Sequence, residues 1–87
     1  MDVKEAVASA KAYVSELFAP EKVENLGLEE FEFDRQHQEW RITVGFSRPW
    51  QDGGALNIAT GMPRPRSYKV VRVLDSDGTV LSIKDRE

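Results

Sequence analysis

An α+β fold, with one N-terminal helix packed on a four-stranded antiparallel β-meander, is predicted by three features of the sequence. An apolar stripe with helical spacing runs from Asp2 to Phe18, segments that alternate apolar and polar residues follow it, and a glycine-bearing turn separates the last two of those segments. The chain has 87 residues, 40% of them hydrophobic and 31% charged, which suits one compact domain over 1–87 and argues against a disordered tail.

In the helical segment the apolar positions are Val3, Ala6, Val7, Ala10, Val14, Leu17 and Phe18, steps of three and four that share one face. Asp2 suits the N-cap, and Pro20 disfavours helical geometry at Ala19, so the helix is expected to stop near Ala19. A helix with a single apolar stripe needs a sheet to lie on. The first strand is LEEFEFD, with Phe31 and Phe33 on a dry face and Glu30, Glu32 and Asp34 on a wet one. After the polar connection RQHQ, Trp40, Ile42, Val44 and Phe46 alternate with Arg41, Thr43 and Gly45, giving a second strand and an antiparallel hairpin. The third strand, YKVVRVL, is apolar at nearly every position, so its period does not say which side faces inward. We expect Lys69 and some of Val71 and Val73 on the face away from the helix, beside Arg41 and Thr43. In DSDG, Gly78 supplies the positive φ of a tight turn before the fourth strand, TVLSI.

Between strands two and three lies a long loop, Ser47 to Arg66, with three of the four prolines and three of the six glycines. This is long for a hairpin connection in a compact domain, and Leu56 and Ile58 in ALNIAT are compatible with a short extra strand.

Composition excludes several chemistries. The absence of cysteine removes disulfides, thiolate catalysis and Cys-based zinc sites. No apolar run approaches the roughly 18 residues that span a bilayer, and MDVKEAV is unlike a secretory signal; both point to a cytoplasmic protein without membrane contact. Charge is unevenly placed: residues 1–40 hold ten acids and four bases, residues 41–87 five acids and eight bases, for a net −3. The asymmetry means either pairing across the sheet or a surface with one acidic and one basic face.

The one histidine, His37, sits in a polar turn and reads as a solvated residue, with no spaced partner for a metal and no local support for a Ser-His-Asp arrangement with Ser47 or Ser67. Glu29, Glu30, Glu32 and Asp34 read as a wet strand rather than a paired acid and base, and Asp75 and Asp77 as turn formers rather than calcium ligands. Gly53, Gly54 and Gly61 belong to no phosphate-binding pattern. No catalytic residue, metal site or cofactor is predicted.

The best candidate surface is the loop, where Arg48, Trp50, Arg64 and Arg66 combine guanidinium groups with a large aromatic. Trp and Arg dominate interface energies, so these four are the predicted contacts for a protein partner. The alternative is nucleic-acid or anion binding through Arg48, Arg64, Arg66, Lys69 and Arg72, against which stand the net charge and a pI of about 5.2. A third reading folds Trp50 back over the open sheet face. A homodimer through that face would also cover it.

Val73, Asp75, Gly78 and Val80 form a D-x-x-G-x-V ending that resembles the closing turn and strand of PepSY-like domains, and the helix-then-meander layout resembles those and the cystatin-like domains. Trp40, Ile42 and Val44 are similar to the W-x-V-x-V strand of gas-vesicle accessory proteins of type O, which also place a helix first. These resemblances imply a non-enzymatic interaction module, an accessory, regulatory or inhibitory subunit. The cystatin Q-x-V-x-G loop motif has no counterpart here.

Overall fold

The computed structural model describes residues 1–47 and 66–86. Helix α1 spans Val3–Leu17, a 3-10 turn covers Ala19–Glu21, and four strands follow: β1 Glu24–Asp34, β2 Glu39–Ser47, β3 Ser67–Leu74 and β4 Val80–Asp85. The strands form one antiparallel sheet in the order β1-β2-β3-β4, with β1 and β4 at its edges. This is the predicted α+β architecture.

Asp2 caps α1, its side chain accepting from the Glu5 N–H at 2.8 Å. The helix stops at Leu17, two residues before the expected end. Pro20 occupies the 3-10 turn, and Lys22 at φ 55° turns the chain out of it toward β1. Ala6, Ala10 and Val14 are fully buried; two of the three are alanines, which lets the helix approach the sheet closely. They meet Ile42, Val44 and Phe46 of β2 and Val71 and Val73 of β3, all fully buried, and Phe18 lies 5.7 Å from Phe46, ring centre to ring centre.

The register corrects the expected facing of β3. Val71 pairs with Ile42 and Val73 with Trp40, so both valines point toward the helix. Lys69 pairs with Val44 on that same side, its ammonium 5.8 Å from the Phe18 ring, and it bonds Asp85 on β4. Tyr68, Val70, Arg72 and Leu74 take the other face. A nearly all-apolar strand has no period of its own, and the register with β2 decides its parity.

β1 starts at Glu24, earlier than the expected Leu28, and slips register twice, between Glu24 and Gly27 and between Leu28 and Glu30. Phe31 and Leu28 lie on the helix side of this edge strand and are 51% and 40% exposed. Gly78 has φ +77°, as the DSDG turn requires. Among the described residues no helix is long and apolar enough to cross a membrane.

Candidate functional site

The sheet face away from α1 carries a row of opposed charges, and β2 runs through its middle. Pleating places Glu39, Arg41, Thr43 and Gly45 of β2 on this face, with Glu30, Glu32 and Asp34 of β1 on one side and Arg72 of β3 on the other.

At the hairpin end, Arg41 donates to Asp34 Oδ2 at 2.7 Å and to Glu32 Oε1 at 3.2 Å. Asp34 Oδ2 is also 2.8 Å from His37 Nδ1, while Oδ1 accepts from the N–H groups of Gln36 and His37. The side-chain bond to His37 is the chief reason that the Asp34 carboxyl titrates below its ordinary value. The His37 N–H and the His37 and Arg41 charges act the same way, against the opposing effect of desolvation. Glu39 is 1% exposed, and both its oxygens are held by Arg72, Oε2 by Nε at 2.5 Å and Oε1 by Nη2 at 2.9 Å. That bidentate bond lowers the Glu39 carboxyl and raises the Arg72 guanidinium, outweighing the desolvation that opposes both. Gln38 sits at φ 51° to close the turn.

Asp34, His37 and Glu39 bring three ligand-type atoms within 4.8 Å of one another, a grouping that the spacing of a single histidine did not suggest. The D-x-x-H step at a turn was the available signal. Arg41 already holds Asp34 and Arg72 holds both oxygens of Glu39, while His37 Nδ1 is taken by Asp34, so a cation entering here would have to displace two guanidinium groups. The cluster is a neutralised hairpin cap, and His37 is exposed yet bonded to Asp34.

At the other end, Arg66 lies across β2 rather than reaching outward. Its Nη2 donates to the Asn25 carbonyl at 3.1 Å and to Glu29 Oε1 at 3.4 Å. The space for this is Gly45: a Cβ there would sit 2.6 Å from Glu29 Oε1 and 2.9 Å from Arg66 Nη2. Glu29 is the residue skipped by the second register slip of β1, which frees it to lean over the sheet. Sequence reasoning missed Gly45 and Glu29 as partners of Arg66; a glycine in mid-strand was the sign of a close approach. Farther along, Arg86 covers the Tyr68 ring at 4.2 Å and reaches to 3.9 Å from Glu30, whose Oε1 also accepts from Thr43. Glu29 with Arg66, Glu30 with Arg86, Glu39 with Arg72, and Glu32 and Asp34 with Arg41 each join acids of residues 1–40 to a base of residues 41–87. Among the described residues the opposite charges of the two halves therefore meet across the sheet in these pairs.

Of the four predicted contacts, Arg66 is placed as above, and Arg48, Trp50 and Arg64 lie outside the described residues, as does the short strand considered at ALNIAT. Of the basic set weighed for nucleic acid, Lys69 faces the helix side and Arg72 the opposite side, so β3 does not present them together. Comparison of the chain with protein families, with curated proteins and with solved structures returns no match.

Proposed function

We propose that this chain is a small non-enzymatic protein-interaction module, an accessory, regulatory or inhibitory subunit, that binds a protein partner through segment 47–66 and the neighbouring edge strand β1. The observation that carries this reading is β1 itself. It is an eleven-residue strand that, among the described residues, pairs with β2 alone, with Leu28 and Phe31 exposed on its helix side and Glu30 and Glu32 on the other. An extended segment with apolar residues on one face and basic ones on the other could add to this edge by main-chain hydrogen bonds, with side chains setting the choice of partner. Arg66 supports the reading, because its bonds to Asn25 and Glu29 tie the end of segment 47–66 to the start of β1. The described cations of the basic set, Arg66, Lys69 and Arg72, are each held by a carboxylate, which weakens the case for a phosphate backbone as ligand. The helix-then-meander layout also underlies the resemblance to PepSY-like and cystatin-like interaction domains.

The test places a photo-crosslinking amino acid at Phe31, and in a control chain at Ala12 on the exposed side of α1, in the cells that make the protein. A protein adduct formed from position 31, absent from position 12 and weakened by Trp50→Ala with Arg64→Ala and Arg66→Ala, is expected. Adducts to nucleic acid, or equal protein adducts from both positions, would overturn the reading.

A further inference from the structure

We infer that Asp77 and Gly78 form a modification site gated by folding, closed to isoaspartate formation while the β3–β4 turn is intact and open to it once the hairpin parts. An aspartate followed by glycine is prone to this chemistry, because glycine has no side chain to hinder attack by its own amide nitrogen. In the reaction the Gly78 nitrogen bonds to Asp77 Cγ and loses its proton, while the carboxyl OH leaves as water, closing a succinimide ring. Water then opens the ring at either carbonyl. One opening restores aspartate, and the other leaves isoaspartate, whose main chain runs through the side-chain carboxyl and is longer by one methylene. The sequence of steps needs no oxidant, reductant or metal.

The turn withholds both reactants. The Gly78 N–H donates to the Leu74 carbonyl at 2.9 Å, which engages the proton that the nitrogen must lose and fixes the amide away from attack. Asp77 Oδ1 accepts from the Thr79 N–H at 2.9 Å, which ties the carboxylate to the residue beyond its target. That side-chain bond is also the chief reason that the Asp77 carboxyl titrates below its ordinary value, against the opposing effect of desolvation. An ionised carboxylate has no OH to release. Asp77 is exposed, so lack of solvent is not what protects it; the two bonds are.

The surrounding closure holds both bonds in place. Leu74 N–H donates to the Thr79 carbonyl at 2.8 Å, and the start of α1 packs over the turn, where a Cβ on Gly78 would meet Met1 Cε at 3.0 Å. Local opening of β3 from β4 releases all of these contacts together. Once isoaspartate has formed, the added methylene no longer fits the tight closure between Leu74 and Thr79, so an opening event leaves a record that refolding does not erase. The site involves neither β1 nor segment 47–66 and stands apart from the proposed function.

Ageing of an Asp77→Asn chain at neutral pH tests the inference. Asparagine keeps the Oδ1 acceptor and reaches the same succinimide by losing ammonia, and the conversion is read as a mass increase of the tryptic fragment Val73–Lys84. In the folded chain both bonds must open first, so conversion is expected to be slower than in urea by about tenfold or more. Thr79→Pro, added to that chain and checked for folding by circular dichroism, removes the N–H that holds the side chain and should restore much of the rate. In wild type, isoaspartate labelled by an isoaspartyl methyltransferase should accumulate at Asp77 in urea and lag by a similar factor in buffer. Equal rates in the folded and unfolded chains, in either readout, or a folded Thr79→Pro chain no faster than its parent, would overturn the inference.

Discussion

Gly45→Ala probes the stacking of Glu29 and Arg66 over β2. The added methyl meets two side-chain ends, at 2.6 and 2.9 Å, and both can swing away. Their departure forfeits the Glu29–Arg66 pair, whose side chains are about a third exposed, for at most about 1 kcal/mol. It also forfeits the Arg66 bond to the Asn25 carbonyl, about 0.5–1.5 kcal/mol. Against this, alanine restricts the unfolded chain and returns about 0.4–1 kcal/mol where the backbone is unstrained. In the wild-type background the substitution should cost about 0.5–1 kcal/mol, and in a Glu29→Ala, Arg66→Ala background it should stabilise by about 0.4–1 kcal/mol. The coupling between site and background is then about 1.5 kcal/mol. Urea unfolding of the four chains, followed by circular dichroism, measures it, and raising the salt should shrink the ion-pair share. An equal effect of Gly45→Ala in both backgrounds would refute the reasoning, since the methyl would then be meeting something other than these two side chains.

Phe46→Ala removes a fully buried ring that packs on Phe18, for a loss of about 3–5 kcal/mol, a large share of the stability of a chain this short; urea unfolding should show a collapsed or absent folded baseline. Asp75 accepts from Trp40 Nε1 at 2.9 Å, and that bond, with help from the Met1 amine and against desolvation, holds its carboxyl below the ordinary 3.8. The stability this lends is complete above the unfolded-chain pKa and is lost as pH falls through the lower folded-state value. In a Trp50→Phe chain, Trp40 emission should therefore change at a pH below 3.8, and Asp75→Asn should abolish that step; a step at or above the ordinary value would contradict the assignment. Gly78→Ala should cost about 1–2 kcal/mol because its φ is +77°, and Gly78→Asn should recover part of it.

Much of this fold is legible in the sequence where one pattern has one physical meaning. The stripe from Val3 to Phe18 admits only a helix, and the alternation from Trp40 to Phe46 only a strand, although β2 is buried on both faces, the one away from α1 by the charged residues of its neighbours. DSDG carries the turn because Gly78 alone tolerates its backbone. β3 was not legible, since Tyr68 to Leu74 is apolar on both parities, and only pairing with Ile42 and Val44 sends Val71 and Val73 inward. Nor was the start of β1, where two register slips and Asn25 at φ 56° interrupt the alternation that Phe31 and Phe33 display. The candidate site was readable as a total and not as partners. Opposite charge in the two halves foretells pairing, but that Glu39 meets Arg72 while Glu29 meets Arg66 depends on register and on the space above Gly45.

The strand order also bears on how the chain can change over generations. Each strand pairs with its successor, and the β1–β2 and β3–β4 hairpins close through short turns, so the core can assemble from local pieces joined once, where β2 meets β3. Residues 48–66 bridge that single join. That join holds as long as Ile42, Val44, Val71 and Val73 keep their parity, so the positions of β2 and β3 that face the other way can diverge while the two hairpins still find each other.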